Sequence, residues 1–150
     1  MPAATSSTPH VRPQSAPDFP TIGLRAGDSI LEVAPELGGT IARYAGVLAG
    51  RPIDWLRPAN LERQDPEETS CFPLVPFSNR VRDGRFTFDG TEAYIAPVPG
   101  PHAEHGHGWR RPWSVTDRGS DLLSIALKVR DADWPFPYDA VKKAAEQPGV

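Results

Sequence analysis

The sequence predicts an all-β protein, an antiparallel β-sandwich, and three observations carry that prediction. Short runs of Ile, Leu, Val and Tyr recur between Gly, Pro and Asp breaks, the punctuation expected of strands and tight turns. Leu123, Ile125, Leu127 and Val129 alternate with Ser124, Ala126, Lys128 and Arg130, the period of two that puts every second side chain on a buried face. With 18 prolines and 13 glycines in 150 residues, no sustained apolar pattern of period 3.6 survives before residue 139. A one-sided antiparallel sheet must cover its apolar face, and a second sheet is the usual cover.

Taken in order, residues 1–20 are rich in Ala, Thr, Ser and Pro. They hold too little apolar area to offset chain entropy, so a disordered arm is expected. Residues 21–26, 29–34 and 38–47 read as strands separated by Gly-Asp and Pro-Glu-Leu-Gly-Gly breaks, and residues 51–56 as another. Residues 60–70 are polar and acidic and read as a surface loop. Around Asp89-Gly90, β-prone flanks predict a two-residue type I′ hairpin, since both turn positions need positive φ. Phe86 and Phe88 then share a face with Ala93. Asp83-Gly84 is a second turn of the same kind, which makes residues 79–94 a three-stranded meander. Residues 139–147 carry Ala, Lys and Glu at helix-forming positions and read as a short helix or a frayed tail. One domain over residues 21–138 follows, with residues 139–150 as a divergent tail.

Composition narrows the partners. A formal charge of −3 and a pI near 5.8 provide no basic field for nucleic acid phosphates, so no nucleic acid partner is expected. A single cysteine, Cys71, excludes an internal disulfide and reads as a packed thiol. The N-terminus lacks a basic region followed by an apolar one, and no run approaches the roughly 20 apolar residues that span a bilayer. A soluble cytoplasmic protein without a membrane partner is the expectation.

Chemistry concentrates between Cys71 and Trp113. Asn79-Arg80 follows the Pro-rich segment Cys71-Phe72-Pro73-Leu74-Val75-Pro76-Phe77-Ser78. An Arg at a strand start can offer its planar fork to vicinal hydroxyls, or it can pair with Asp83 or a loop carbonyl. His102, His105 and His107 are three of the four histidines in the chain. On an extended backbone His105 and His107 point to the same side. Acid/base work near neutral pH, metal ligation helped by His102 or Glu104, and solvated loop histidines all remain open. The indoles of Trp109 and Trp113 suit either the apolar face of a sugar ring or the plug of a sandwich. The aromatic run Trp134-Pro135-Phe136-Pro137-Tyr138 suits a pocket wall or a loop covering a sheet.

In this order, Phe72-Pro73-Leu74-Val75-Pro76-Phe77-Ser78-Asn79-Arg80-Val81, Gly84-Arg85-Phe86, His105-Gly106-His107-Gly108-Trp109 and Trp134-Pro135-Phe136-Pro137-Tyr138 resemble the aldose 1-epimerase (mutarotase) family over residues 20–138. The resemblance implies a galactose mutarotase-type sandwich that takes a free aldose, with no cofactor and no metal. It implies ring opening by a base at the C1 hydroxyl and an acid at the ring oxygen, then closure on the other face. Carried onto this sequence, it makes His105 the active-site, catalytic histidine and Arg80 the sugar-hydroxyl ligand. Asn79 shapes the loop, and His107 and Trp109 complete the substrate-binding set. The family's base Glu and second His belong to a C-terminal half that these 150 residues do not reach, so the sandwich reads as truncated and the catalysis as impaired. A non-catalytic carbohydrate-binding module is the alternative. A partial sandwich would expose sheet edges and an apolar face, so self-association is expected.

Overall fold

A computed structural model describes residues 19–96, 100–131 and 134–145. The expected arm over residues 1–18 lies outside the described residues. Phe19, which the sequence places in that arm, packs against a small cluster of Ala34, Leu37 and Ala42.

The first sheet is an antiparallel meander of β1 (Ile22–Ala26), β2 (Ser29–Ala34), β3 (Thr40–Leu48) and β4 (Arg51–Asp54), in that order. The second has the order β11-β10-β9, with β9 at Ser114–Arg118, β10 at Leu122–Val129 and β11 at Tyr138–Ala145. Between them lie two short ladders. Strand β5 (Arg80–Val81) pairs with β8 (Ala103–Glu104), and β6 (Arg85–Phe88) pairs with β7 (Thr91–Tyr94). One core joins Leu24, Leu31 and Val33 of the first sheet to Leu123, Ile125, Leu127 and Val129 of the second. The four alternating residues of β10 are at most 5% exposed. Full burial of such side chains is worth about 1.5–3 kcal/mol each, which is why this period-two stretch organises the second sheet.

The β6–β7 hairpin follows its turn chemistry. Asp89 and Gly90 have φ of 47° and 72°, and Phe88 pairs with Thr91 across the two-residue loop. Phe86 lies opposite Ala93, and the rings of Phe86 and Phe88 both meet Phe136. Residues 79–94 are not a meander, however. Arg80 and Val81 find their partners in Glu104 and Ala103, not in β6, because Arg82–Gly84 forms a 3₁₀ turn with Asp83 at φ 54° that carries the chain away from a hairpin.

The helix or frayed tail read at residues 139–147 is also overturned up to residue 145. Strand β11 pairs antiparallel with all of β10, from Leu122↔Ala145 to Val129↔Tyr138. Its burial alternates, with Tyr138, Ala140, Lys142 and Ala144 turned inward. Local helix propensity differences are tenths of a kcal/mol per residue. The edge of β10 offers eight residues of ladder and an apolar face, and that outweighs them. The inward Lys142 is pushed below its ordinary pKa by burial, with Cys71 acting the other way. Its ammonium donates to the Gly39 carbonyl at 2.8 Å.

Residues 60–70 form the expected surface segment, shaped by 3₁₀ turns at Leu61–Arg63 and Pro66–Glu68. It is fastened to β3 by Thr40, whose buried hydroxyl lies 2.6 Å from Thr69 Oγ1 and 2.7 Å from the Cys71 carbonyl. Cys71 is partly buried, and its backbone bridges to Ile41.

Candidate functional site

The site grows from the β5–β8 ladder. The register places Arg80 opposite Glu104, and opposite charges facing each other across a ladder attract. Arg80 Nη2 lies 2.7 Å from Glu104 Oε1. Just beyond the ladder the His105 N–H donates to the Asn79 carbonyl at 3.0 Å, and the Asn79 N–H donates to His105 Nδ1 at 2.9 Å. An imidazole that accepts at Nδ1 carries its proton at Nε2 when neutral. That nitrogen is 3.3 Å from the same Glu104 Oε1. Asn79 holds φ at 64° while its Oδ1 accepts from the Arg80 N–H at 2.9 Å, so it shapes the turn into β5. Asn79, Arg80 and His105 are therefore brought together, as their sequence motifs require.

The histidine segment is not extended. His105 and Gly106 have φ of 58° and 70°, and His107 falls in the right-handed helical region before a 3₁₀ turn at Gly108–Arg110. The two side chains consequently enter different surroundings. The His105 ring meets Phe72 and Trp109 edge-on. His107 meets the edge of Trp134 at 4.9 Å and stacks on Tyr138 at 6.2 Å. With His105 left-handed, the alternation of neighbouring side chains on an extended strand does not apply to Glu104 and His105, and the two meet.

His102 stands apart, its Nδ1 accepting from the Asp83 N–H at 3.0 Å. His102 and His105 each commit a ring nitrogen to a backbone donor. Among the described residues no group of three His, Cys, Asp or Glu side chains could hold a metal ion.

A cleft of about 620 Å³ opens beside these groups, lined by Glu104, Gly106, His107, Arg111, Asp131 and Trp134 among others. Burial, then the charge of Arg111, push the His107 pKa below its ordinary 6.5, and Asp131 opposes them. Hydrogen bonds from Arg111 hold the Asp131 carboxyl below its ordinary value, with burial opposing. One of the two Arg111–Asp131 hydrogen bonds measures 3.0 Å. Burial pushes the Tyr138 phenol up to about 12, so its hydroxyl stays protonated, 3.4 Å from His107 Nδ1. The cleft lining thus combines the acidic side chains of Glu104 and Asp131 with the imidazole of His107, which burial holds in the neutral form.

The folded pKa of His107 lies below its unfolded value, so as pH falls the unfolded chain takes up the proton first. The stability carried by neutral His107 is complete above pH 6.5 and is lost as pH falls through that value toward the folded one. The urea midpoint of the chain is expected to drop between about pH 7.5 and 5.5, and His107→Gln is expected to remove part of the drop. An identical drop in the variant would refute the assignment.

Trp109 and Trp113 prove to be plugs. Trp109 is 1% exposed and Trp113 4%. Phe72 stacks on the Trp109 indole at 5.4 Å, and the Arg110 guanidinium lies over it at 3.8 Å. Trp109 belongs to the cleft lining but is almost fully buried there, so it is a covered support of the wall and not an open platform. Its Nε1 donates to the Glu104 carbonyl at 3.2 Å, so Trp109 supports the site from beneath. Trp134, 7% exposed, lines the cleft together with Trp109 and packs in the core at once. Tyr138 closes the aromatic run read as a pocket wall, whereas nothing in the sequence singles out Arg111 or Asp131. Opposite charges 20 residues apart have no spacing signal until the loops place them together.

The architecture and the paired Asn-Arg and His-Gly segments are those of a mutarotase-type sandwich. The chain belongs to the aldose 1-epimerase family, whose profile matches residues 20–143. A crystal structure from Escherichia coli K12, of a protein provisionally named an aldose 1-epimerase, superimposes with a TM-score of 0.74 at 27% identity. It covers 86% of this chain and 42% of its own. The C. elegans GalM/aldose epimerase homologue superimposes with a TM-score of 0.68 at 20% identity, covering 83% and 40%. In sequence, the Escherichia coli K12 protein YphB is 38% identical over 71 residues, 46% of this chain and 24% of its own length. The aldose 1-epimerase of the same strain is 31% identical over 64 residues, 41% and 18% respectively. The chain thus spans about two fifths of the solved relatives and matches a quarter or less of the curated ones. Among the described residues no helix is long and apolar enough to cross a membrane.

Proposed function

We propose that this chain binds a free aldose in the cleft beside Glu104 and His107 and takes part in interconverting its α and β anomers by acid/base ring opening. The observation that carries this reading is the β5–β8 pairing, which sets Arg80 and His105 on the carboxylate of Glu104, a residue of the cleft lining. The Arg80 side chain is 59% exposed, and its fork keeps donors free for vicinal sugar hydroxyls. His105 is the catalytic histidine on this reading, its Nε2–H shared between Glu104 and a ring or hydroxyl oxygen of the sugar. Asn79 holds the turn that aims both. His107, neutral near pH 7, serves as a hydrogen-bonding wall of the cleft and can accept or donate without adding charge.

Ring opening asks for two proton-transfer groups of different proton affinity, one on each side of the sugar. The family resemblance assigns the base to a Glu and the main acid to a second His, both outside these 150 residues. General acid/base groups contribute about 10²–10⁴-fold each. On this reading the 150-residue chain binds sugar and turns it over slowly. Self-association through the exposed edges of β4 and β11 would be the way for a second copy to complete the site.

Galactose is expected to shift the His105 and His107 imidazole resonances of the chain, and Arg80→Ala to abolish the response. Polarimetry on the same sample reads mutarotation, and sizing chromatography reads association. A silent wild-type spectrum at saturating sugar would sink the binding assignment. A monomer with the rate of an intact family enzyme would overturn slow turnover, whereas binding with no turnover at all would favour a carbohydrate-binding module.

A further inference from the structure

We propose that Glu104 is a positioning residue for the sugar site, fastening Arg80 and His105 together through one carboxylate oxygen. This rests on the aldose reading of the cleft given above. Oε1 takes both contacts, 2.7 Å from Arg80 Nη2 and 3.3 Å from His105 Nε2. The ladder register delivers Glu104 opposite Arg80, and the left-handed turn at His105 brings the next side chain back onto the same carboxylate. The Nδ1 of His105 is already occupied by the Asn79 N–H, so the ring has a single orientation in which both nitrogens are used.

Burial makes the arrangement effective. The Glu104 side chain is 20% exposed and that of His105 23%, whereas Arg80 is 59% exposed. A long, solvent-facing Arg samples many rotamers, and a sugar that binds it must restrict them. A fixed, partly desolvated carboxylate restricts them beforehand through the attraction of opposite charges. Trp109 holds the backbone of the same residue through its indole N–H, 3.2 Å from the Glu104 carbonyl. Both the main chain and the side chain of Glu104 are therefore anchored, and the residue belongs to the cleft lining.

The test uses the 150-residue chain with Glu104→Gln and Glu104→Ala. Long-range imidazole spectra and side-chain arginine spectra report the pairing without any sugar, and His102, held by Asp83, is the internal control. In the wild type, His105 should show a protonated Nε2 and the Arg80 guanidinium resonances should be resolved by restricted rotation. Glu104→Ala should collapse the Arg80 resonances and move His105 Nε2 while His102 stays in place. Glu104→Gln, which keeps an acceptor and loses the charge, should fall between. The galactose Kd should rise in the same order, by about two- to tenfold in Glu104→Ala, the range expected when binding must itself order one long side chain. Unchanged Arg80 and His105 spectra in both variants would overturn the proposal, and so would altered spectra with an unaltered galactose Kd. A wild type that ignores galactose while its Arg80 and His105 signals still respond to Glu104→Ala would overturn the aldose reading and leave the pairing intact.

Discussion

Gly106→Ala is expected to destabilise the chain by about 3 kcal/mol or more, the range of strain combined with a forced backbone shift. Gly106 has φ of 70°, and a Cβ built there would lie 2.2 Å from the Val75 carbonyl oxygen and 2.5 Å from Pro76 Cδ. Neither neighbour is a flexible side-chain end. The Pro-rich segment would have to retreat, taking with it the Val75↔Gly106 bridge and the 2.9 Å hydrogen bond from the Gly108 N–H to Val75. His105 and His107 flank that bridge, so their environments should change together. Gly90→Ala supplies the control. Gly90 has a similar φ of 72° with nothing within 4 Å of the added Cβ, and it should cost only about 1 kcal/mol. Urea denaturation reads both, and equal losses would refute the contact argument.

Trp109→Ala is expected to cost about 3–5 kcal/mol, the usual range for emptying a buried indole site. The loss should reach the site as well as the core, because Phe72, Arg110 and His105 all pack on this ring. Trp109→Phe keeps an aromatic plug but leaves the Glu104 carbonyl without its indole donor, at a cost of about 1–2 kcal/mol. Galactose should still shift the His107 resonance in Trp109→Phe, since the buried indole offers no face to a sugar. Loss of the response in that variant, with stability retained, would return Trp109 to the ligand-contacting set. Denaturation midpoints and the galactose titration together separate the two roles.

The fate of the two tryptophans shows where residue types stop being informative. An indole serves a sugar face or a core equally well, and at 1% exposure Trp109 is committed to the core by Phe72 and Arg110. The histidines show the same limit for side-chain direction. A period-two reading assumes extended backbone, and left-handed residues at His105 and Gly106 break it. A glycine at 106 takes its positive φ without cost, but His105 itself carries no residue-type signal for one.

What the sequence determined by itself were features settled by neighbours a few residues apart. The alternation of Leu123 to Val129 sets a strand with a buried face, and Asp89-Gly90 sets a two-residue turn between β-prone flanks. The Asn79-Arg80 and His105-Gly106-His107 segments leave several roles open on their own and take one only through the family resemblance of the motifs in order. The tertiary structure decided everything that depends on register or on a distant partner. It made residues 138–145 a strand because the edge of β10 was open to them, against their own helix preference. It paired Arg80 with Glu104 rather than Asp83, and it placed Arg111 on Asp131 beside His107. Local propensities act over a few residues with tenths of a kcal/mol each, whereas a completed ladder and a buried face act over many residues at once.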